Sequence, residues 1–485
     1  MKNPNPAALL QEAHRLDEEG RWDEAAISYR AFLELQPKNA AAWGDYGGLL
    51  SVADKLEQAQ EACRQALRID PVCPGARINL GCVLVKQGQF DEAEGLFRKV
   101  LALDSKRNDA RLAMAHGLMK KGDLESAKTA LKRAMAQDPG NLEAHKMCYR
   151  ILAHEGNLAA AREEILRFFA VLGSPSCVEE QWESSNLSLL FGDLPKGWEQ
   201  YEARLQRPES SKPQPHPDHP KWGGGSFVGK TLLVDWEQGL GDTLMFVRYA
   251  PHLKALGGRV IWSVQQSLAD VIATCPGVDE VVPFGDPLPP FDLHVPLLSL
   301  PWVFRTELTS IPAGIPYLHV PGKVPNRERL IGVLEASAGR IRIGLAWVGN
   351  PTHVRDSERS MPAGVLAPLA ALPNVAWHSF HFGLVEEAPF PGITPLSPLL
   401  GSFADSALAV AAMDLVITVD TALAHLAGAL GIPTFLLLHA FPDWRWLLRR
   451  EDSPWYPSLR VYLQPNPGDW DSVLRQVLAD LNTES

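Results

Sequence analysis

A carboxylate, a hydroxyl and an imidazole lie close together in the sequence near its C-terminal end. Asp420 and Thr421 directly follow the apolar run Leu415–Val419, and His425 comes four residues after Thr421. Asp and Thr are both good helix caps, and residues four apart share one face of a helix. The free amides and the dipole of a helix start also bind anions, so the stretch predicts an anion site. A purely structural cap and a core histidine are the alternative roles.

A second carboxylate is flanked by glycines in the stretch "EQGLGDTLMFVRY". Gly239 and Gly241 follow Gln238 and let the backbone turn tightly and approach a ligand closely. Asp242 then falls in the first turn of the expected helix, where a carboxylate stabilises the helix dipole. A general base that faces a cleft would use the same position, so both roles stay open. Leu244 stands where a dinucleotide fingerprint needs its third glycine, which argues against a nicotinamide cofactor.

The stretch "WVGNPTHVRDSERS" combines a sharp turn with basic side chains. It leaves a predicted strand through Gly349 and Asn350 and then carries His353, Arg359 and Ser360. Basic groups and free amides after a strand suit a diphosphate, whereas a solvated loop with scattered charge is the alternative. Arg359 and Ser360 are the pair that we expect to contact a ligand.

A third stretch, "HAFPDWRWLLRREDSPWYP", is rich in tryptophan and arginine. Its Trp444 has the ring needed to stack on a base or a sugar, and Arg445 would then lie near phosphate. A hydrophobic cover over the rim of a cleft is the alternative for the tryptophans. The sequence leaves both possibilities open.

The elements that must position these residues begin after a linker at 206–229 that is rich in Pro, Gly, Ser and His. Apolar runs then alternate with amphipathic ones, which is typical of βαβ units and a parallel sheet. We expect one Rossmann-like half at 230–325 and a second at 340–485. Ligands of such sheets bind beyond the carboxyl ends of the strands, so Asp242 and Asp420 should face one cleft.

The first two fifths of the chain repeat with a period of 34 residues. The same small residue recurs at each step, at Ala25, Ala59, Ala93, Ala127 and Ala161. Each unit combines two helical patterns with a turn, and the clearest copy carries Trp43, Tyr46, Gly47, Ala59, Ala66 and Pro71. This pattern resembles the tetratricopeptide repeat (TPR). We expect a TPR solenoid at 6–205, with about five repeats and a capping unit, whose groove takes a peptide or protein. A spacer or an oligomerisation arm is the alternative.

The overall composition excludes several classes of protein. The 485 residues carry a formal charge of -11, which argues against nucleic acid as a partner. The N-terminus lacks an apolar signal core, and the least charged window is interrupted by Gly431 and Pro433, so we expect no transmembrane segment. The six cysteines form no Cys-x-x-Cys pair, which predicts no metal site and a reducing, cytoplasmic location.

From Lys230 onwards the motifs together resemble a known enzyme family. The matching stretches are "EQGLGDTLMFVRY", "WVGNPTH", Arg359-Ser360, "DLVITVDTALAHLAGALGIP", "PDWRW" and "SPWYP", preceded by "GWEQYEARL". They are similar to bacterial GT-B glycosyltransferases of the ADP-heptose:lipopolysaccharide heptosyltransferase group. The similarity is closer to TPR proteins that carry such a domain at their C-terminus.

This resemblance implies inverting, metal-independent transfer from a nucleotide-activated sugar, with no cofactor. It assigns Asp242 as the base, and Asp420, Thr421 and His425 to the sugar and diphosphate of the donor. The family usually has Gly where this chain has Ala422, and it commonly places a Lys on the phosphate. No Lys follows Lys323 here. An Arg or the helix amides must therefore carry that charge.

Two other functions compete with the glycosyltransferase. One is a TPR adaptor whose degenerate GT-B domain binds a nucleotide or sugar without turnover. The departures at Ala422 and in lysine content favour this adaptor. The other is a sugar-nucleotide epimerase, which would release free nucleotide and glycosylate no acceptor.

Overall fold

The computed structural model divides the chain into two compact units, Met1–Ser174 and Pro175–Ser485. It describes residues 5–155, 157, 160, 161, 163, 164, 167, 168, 177–207, 216–350, 356–381, 388–440, 442–448, 450–466 and 468–483.

The first unit consists of consecutive helices joined by short turns. Their bounds are α1 Pro6–Glu18, α2 Trp22–Leu35, α3 Ala40–Val52, α4 Leu56–Ile69, α5 Pro74–Lys86, α6 Phe90–Leu103, α7 Asn108–Lys121, α8 Leu124–Gln137 and α9 Leu142–His154. Each helix packs on the next one along the chain, and α3 also packs on α5 and α5 on α7. This stacking of helix pairs confirms the predicted helical solenoid.

The 34-residue period corresponds to two physical requirements of each repeat. The periodic alanines from Ala25 to Ala127 are fully buried, because only a small side chain fits where paired helices approach closely. The turn after the first helix of a pair needs a left-handed backbone. Gly20, Gly88 and Gly122 supply it, and Asp54 adopts the same conformation with φ 58° in the slot that lacks glycine.

The second unit is an α/β structure with two parallel sheets. Its strands are β1 Thr231–Asp235, β2 Arg259–Val264, β3 Glu280–Pro283, β4 Leu293–Pro296, β5 Ile341–Ala346, β6 Val375–Ser379, β7 Thr394–Pro395, β8 Leu415–Val419, β9 Thr434–Leu438 and β10 Leu459–Leu463. The strand orders are β3-β2-β1-β4 and β10-β9-β8-β5-β6-β7. All the strand pairs of both sheets are parallel, as the alternation of apolar and amphipathic runs predicted.

The helices of the second unit connect and cover these strands. The α-helices are α10 Val178–Leu190, α11 Leu194–Tyr201, α12 Leu240–Phe246, α13 Ala250–Ala255, α14 Ala269–Ile272, α15 Leu300–Val303, α16 Arg327–Glu335, α17 Asp356–Arg359, α18 Phe403–Ala411, α19 Ala422–Ala429 and α20 Trp470–Thr483. The 3-10 helices are Glu202–Gln206, Val247–Tyr249, Gln266–Leu268, Leu297–Ser299, Ala363–Ala371, Ser397–Leu399 and Trp444–Trp446. Within the described part of the chain, no helix is both long and apolar enough to cross a membrane.

The central strand β8 of the second sheet is buried on both faces. In β8, Val416 packs into the large core that both sheets share, whereas Leu415 and Ile417 pack into a separate core on the opposite face. A strand covered on both sides needs a continuous apolar run rather than alternation. This explains why the stretch before Asp420 contains no charged residue between 415 and 419.

The helices at 178–201 belong to the second unit, which corrects the predicted solenoid end at residue 205. The apolar side chains of Leu189, Leu194 and Trp198 lie in the same core as β1 and α12. Their sequence resembles a final repeat, but their buried face packs on the α/β core. The residues between the two predicted halves, 326–339, contain α16.

The two α/β halves are joined through a buried arginine. The Arg248 guanidinium donates to the carbonyl oxygen of Trp455 at 2.6 Å and to the hydroxyl of Tyr317 at 2.9 Å. It also lies 4.6 Å from the ring centroid of Tyr456, within the range of a cation–π contact. Arg248 follows α12 in the first half, and Trp455 and Tyr456 belong to the second half, so these contacts tie the two halves together.

We expect Gly81→Ala to destabilise the first unit by about 1–3 kcal/mol, because a Cβ there would overpack the core. That Cβ would lie 2.5 Å from Cε1 of Phe97. Gly95 is the matched control, since a Cβ there meets nothing within 4 Å. Gly95→Ala should stabilise α6 by up to about 1 kcal/mol, because it removes a helix glycine. Thermal unfolding of the full chain by far-UV circular dichroism measures both; equal shifts would contradict the packing argument.

Candidate functional site

An open cavity of about 730 Å³ lies in the second unit, at the carboxyl ends of β1, β5, β8 and β9. Its lining residues come from the 182–207 segment (Trp182, Arg204, Leu205, Arg207), from the first half (Glu237, Gln238, Gly239, Leu240, Gly241, Asp242, Gln265) and from the second half (Asn350, Arg359, Asp420, Thr421, Ala422, His425, His439, Asp443, Arg445). The cavity therefore brings Asp242 together with Asp420, Thr421 and His425, as the two-half arrangement predicted.

Asp242 lies at the start of α12 with both carboxylate oxygens in hydrogen bonds. Its Oδ2 accepts the backbone N–H of Gly239 at 3.0 Å, which stabilises the helix start. Its Oδ1 accepts from Nε of Arg445 at 3.1 Å and also from Nη2 of the same residue. The residue is 7% exposed. The structural cap role is thus present, and the role of general base stays a prediction.

Arg445 lies between two carboxylates. Besides Asp242, its Nη1 donates to Oδ1 of Asp443 at 2.6 Å. Burial alone would lower the pKa of Arg445, but the carboxylates of Asp242 and Asp443 hold that pKa well above its usual value. The guanidinium also lies 4.1 Å from the ring centroid of Trp444. One cation is therefore shared by two anions, and the cluster carries a formal charge of minus one.

The helix α19 begins where the sequence predicted it. Thr421 is its N-cap, and the Thr421 hydroxyl oxygen accepts the N–H of Leu423 at 3.3 Å. The first amides of a helix point away from its body and attract anions. The helix start opens on the cavity through Asp420, Thr421 and Ala422.

Asp420 has an unusual protonation behaviour. Burial raises the pKa of its carboxyl to about 6, and the neighbouring Asp443 carboxylate adds to this effect. Arg445 and Arg359 oppose the shift without cancelling it. Because an ionised Asp420 stands beside the helix start, its charge partly offsets the positive end of the α19 dipole at neutral pH.

His425 is a buried, neutral imidazole at the boundary between the two halves. Burial lowers the pKa of its ring to about 3, and Arg445 and Arg248 add to this effect. Its Nδ1 lies 2.9 Å from the Tyr456 hydroxyl, and its ring stacks on Trp446 with centroids 4.9 Å apart. These contacts match the satisfied core histidine, although the residue also lines the cavity.

Gly241 allows α12 to pack directly against α19. A Cβ at this position would lie 2.7 Å from Cδ2 and 3.2 Å from Nε2 of His425. At Gly239, by contrast, the nearest atom to a Cβ is Oδ2 of Asp242 at 3.4 Å, an ordinary contact. Of the two predicted glycines, Gly241 is therefore the one that the close approach requires.

Of the residues predicted as ligand contacts in the loop after β5, some line the cavity and others form hydrogen bonds within the loop. Arg359 and Asn350 line the cavity. Nε of Arg359 donates to Oδ1 of Asp356 at 3.0 Å. The Ser360 hydroxyl is used within the loop instead, because it accepts the N–H of Gly349 at 2.9 Å and donates to Oδ2 of Asp356 at 3.0 Å. The predicted His353 lies outside the described residues.

Gly349 has a steric role in the same loop. A Cβ there would lie 2.7 Å from Nε of Arg359, so a larger residue would displace this cation. Neither Gly349 nor Ser360 is part of the cavity lining. Their contacts with Arg359 and Asp356 instead help to set the position of the Arg359 side chain, which does line the cavity.

Trp444 is a core residue and does not match the predicted stacking platform. Its indole is 5% exposed and meets Trp198 edge-on, with centroids 5.2 Å apart. Trp446 and Trp455 are likewise buried. The loop's tryptophans are thus the hydrophobic cover that the sequence left as the alternative, because α10 and α11 pack over them.

An ion pair between Arg204 and Glu237, which the sequence did not predict, forms part of the cavity lining. Nε and Nη2 of Arg204 donate to the two carboxylate oxygens of Glu237, each at 2.8 Å. Oε1 of Glu237 also accepts the N–H of Leu298 at 2.9 Å. Burial lowers and Glu237 raises the pKa of Arg204, with a net upward shift. The signal was available, because "EARL" and "EQG" both lie in stretches that resemble the transferase family.

An aromatic side chain forms another part of the cavity wall. Trp182 of α10 is partly exposed there and packs on Tyr201 with ring centroids 4.9 Å apart. The Arg207 guanidinium lies 4.8 Å from the Trp182 ring centroid. Nε2 of Gln238 donates to the Tyr201 hydroxyl at 3.1 Å, and Gln238 itself has a left-handed φ of 58°. Such a conformation costs about 1–3 kcal/mol outside glycine, and it turns the chain into the cavity.

The cavity contains charged groups of both signs but no evident metal centre. Among the residues that the structure describes, no group of three or more His, Cys, Asp or Glu could hold a metal ion. A reaction that needs no metal therefore remains an expectation from the resemblance alone.

Family comparisons confirm the repeats of the first unit. The middle TPR-like domain of cilia and flagella-associated protein 70 matches residues 9–101. The tetratricopeptide repeat family matches residues 84–133 and 118–167. The helical unit is accordingly a TPR solenoid.

Individual relatives extend this picture. Protein FlbA of Caulobacter vibrioides (strain ATCC 19089 / CIP 103742 / CB 15) is 27% identical over 344 residues, covering 64% of this chain and 57% of FlbA. The aligned length exceeds the 174 residues of the first unit, so the similarity extends into the second. The chain matches little more than half of FlbA's length.

Solved structures also resemble part of the chain. PilW, a type IV pilus biogenesis factor, is 25% identical with a TM-score of 0.34 and covers 41% of this chain and 92% of its own. YrrB, described as a TPR protein with an unusual peptide-binding site, is 23% identical with a TM-score of 0.28 and covers 35% and 88%.

We expect Gly241→Ala to destabilise the second unit by about 1–3 kcal/mol, because the added methyl would push His425 away from α12. Gly239→Ala is the matched control two residues earlier, and its unfolding temperature should stay close to that of the wild type. Differential scanning calorimetry of the full-length variants measures the difference. An unchanged Gly241→Ala transition would mean that the two halves are not held at this distance in solution.

We expect Asp420→Asn to stabilise the protein at neutral pH but not in acid. The folded-state pKa of about 6 lies above the ordinary 3.8, so wild-type stability falls as the pH rises from about 4 through 6. Asn avoids this loss, and the gain at about pH 7.5 should be roughly 1–2 kcal/mol, since one pKa unit corresponds to about 1.4 kcal/mol before solvent screening. Urea unfolding at the two pH values measures it. A gain of equal size near pH 4 would exclude the carboxyl titration as its cause.

Proposed function

We propose that the second unit is a GT-B-type, inverting glycosyltransferase domain that uses a nucleotide-sugar donor. The observation that carries the proposal is the shared cavity, in which Asp242 of the first half and the α19 start of the second half face the same space. A base on one side and an anion site on the other are what transfer from a diphosphate donor needs.

The proposed reaction assigns one step to each side of the cavity. Asp242 takes the proton of an acceptor hydroxyl or amide as the acceptor atom attacks the anomeric carbon. The bond from that carbon to the donor diphosphate breaks, and the nucleoside diphosphate leaves with the electron pair. The acceptor attacks from the face opposite the leaving group, so the anomeric configuration inverts.

The donor side requires positive groups for two phosphates. The α19 amides, Arg359 and Arg445 line the cavity and are suited to this task. They replace the lysine that the resembling family commonly places on the phosphate. Arginine is well suited to it because its planar fork binds phosphate oxygens in a bidentate way.

The acceptor is proposed to be a protein or a peptide. TPR solenoids commonly bind such partners, and the first unit has this fold. The glycosyltransferase and the repeat unit lie in one chain, so a partner held by the repeats stays at a high effective concentration.

A non-catalytic adaptor is the second candidate, and the Asp242–Arg445 pair favours it. Both carboxylate oxygens of Asp242 already accept hydrogen bonds, so an acceptor would have to compete with Arg445 for Oδ1. In that function the cavity would bind a nucleotide or sugar and signal through the repeats.

We expect Asp242→Asn to lower turnover at least about 100-fold, because a positioned base contributes about 10²–10⁴-fold. The assay supplies the full-length protein with UDP-, GDP-, ADP-, CMP- and dTDP-sugars and measures nucleotide release and glycosylated product by mass spectrometry. Asp471→Asn is the matched control, since Asp471 also lies in the first turn of a helix, α20, but not in the cavity. It should leave turnover unchanged.

The outcomes separate the candidate functions. Undiminished turnover by Asp242→Asn would reject this residue as the base. A nucleotide sugar that raises the unfolding temperature of the wild type without being consumed would favour the adaptor. Nucleotide release without a glycosylated acceptor would point to the epimerase.

A further inference from the structure

We infer that Arg445 exchanges partners on donor binding: it leaves Asp242 for the donor's diphosphate, and so frees the base only when the donor is in place. This inference rests on the proposed function and adds an order of binding, donor first and acceptor second.

The contacts of Asp242 are the first reason. Its Oδ2 is held by the Gly239 N–H, and its Oδ1 receives two guanidinium N–H groups from Arg445. The two N–H groups occupy Oδ1 on the side that faces Arg445, so an acceptor hydroxyl or amide must compete with the guanidinium for this oxygen. Proton transfer from an acceptor to Oδ1 therefore requires the Arg445 contact to be released.

The position of Arg445 is the second reason. It lines the same cavity as Asp420 and Thr421, so it has access to the space in front of the α19 start. Its Nη1 and its backbone N–H both contact Oδ1 of Asp443. Asp443 provides an anchor that persists when Nε and Nη2 leave Asp242, so the exchange needs no unpaired buried cation.

The charge of the cavity is the third reason. The charged side chains that line it are Glu237, Asp242, Asp420 and Asp443 together with Arg204, Arg207, Arg359 and Arg445. A diphosphate adds negative charge at this place and competes with Asp242 for the shared guanidinium. A dianionic group is the stronger competitor, because its interaction with Arg is both bidentate and more highly charged.

If Arg445 exchanges partners, replacing Asp242 should strengthen diphosphate binding, whereas replacing a residue that binds the diphosphate directly would weaken it. If ionised Asp242 competes with the diphosphate, Asp242→Asn should bind nucleoside diphosphate more tightly than the wild type does, by about tenfold for a coupling near 1.4 kcal/mol. The probes are ADP, GDP, CDP, UDP and dTDP, measured by isothermal titration calorimetry on the full-length protein. The tightest of them is then used for all variants, with the matching nucleoside monophosphate as a reference.

A double-mutant cycle separates exchange from general electrostatics. Arg445→Gln should weaken diphosphate binding about tenfold, and Asp242→Asn should give no gain in the Arg445→Gln background. Asp420→Asn is the charge-matched comparison from the same cavity, because Arg445 acts on Asp420 through its charge, whereas its ion pairs among the described residues are with Asp242 and Asp443. The coupling of Asp420→Asn to Arg445 should therefore be smaller than that of Asp242→Asn.

A second measurement uses the wild type, so it tests the exchange even if the variants fold poorly. In the wild type, the Nε–H signal of Arg445 in a nitrogen-15 spectrum, assigned by its absence from Arg445→Lys, should shift on addition of the diphosphate and not of the nucleoside.

Three results would overturn the inference. The first is unchanged or weaker diphosphate binding by Asp242→Asn, and the second is a gain that persists without Arg445. The third is an unshifted Arg445 signal in the bound wild type. If the wild type binds none of the five diphosphates, the proposed donor site fails as well, whereas wild-type binding without the exchange signature rejects this inference alone.

Discussion

The contact on which the candidate site depends is the direct packing of α12 against α19. It places Gly241 so close to His425 that no side chain fits between them. Asp242 is the next residue of α12, so the packing of the two helices itself places its carboxylate beside the second half. The buried Arg248 stabilises the same packing, because its guanidinium donates hydrogen bonds to the Tyr317 hydroxyl and to the backbone carbonyl of Trp455.

A cavity built on such a contact must also balance its charges. Arg204 with Glu237 and Arg445 with Asp242 and Asp443 are ion pairs that lie mostly out of solvent. Burying an unpaired charge is costly, so these carboxylates stabilise the buried guanidinium groups of Arg204 and Arg445 in the absence of a ligand. Under the proposed exchange, an anion binds by replacing the Asp242 carboxylate as a partner of Arg445 rather than by filling an empty positive pocket. Asp420 also lines this cavity, and burial raises the pKa of its carboxyl to about 6.

The helices α10 and α11 show how a repetitive sequence can change its structural role. Their length and spacing continue the pattern of the repeats, yet Trp198 and Leu194 pack into the α/β core. As a result Trp182 and Arg204 become parts of the cavity. The same packing buries Trp444, which explains why an apparent surplus of loop tryptophans does not supply a stacking platform.

The sequence alone determined the features that arise from local chemistry. A 34-residue period with buried alanines specifies the solenoid, an uninterrupted apolar run specifies the doubly covered strand β8, and Asp420-Thr421 specifies a capped helix start. These depend on residues that are neighbours along the chain or along one helix face. Only the tertiary structure decided the partners of these residues: Asp242 with Arg445, 203 positions apart, His425 with Gly241, and Trp182 with the cavity. Long-range pairs of this kind leave no periodicity in the sequence, because each partner is compatible with a cap, a solvated loop or a core position until the packing of the helices selects one.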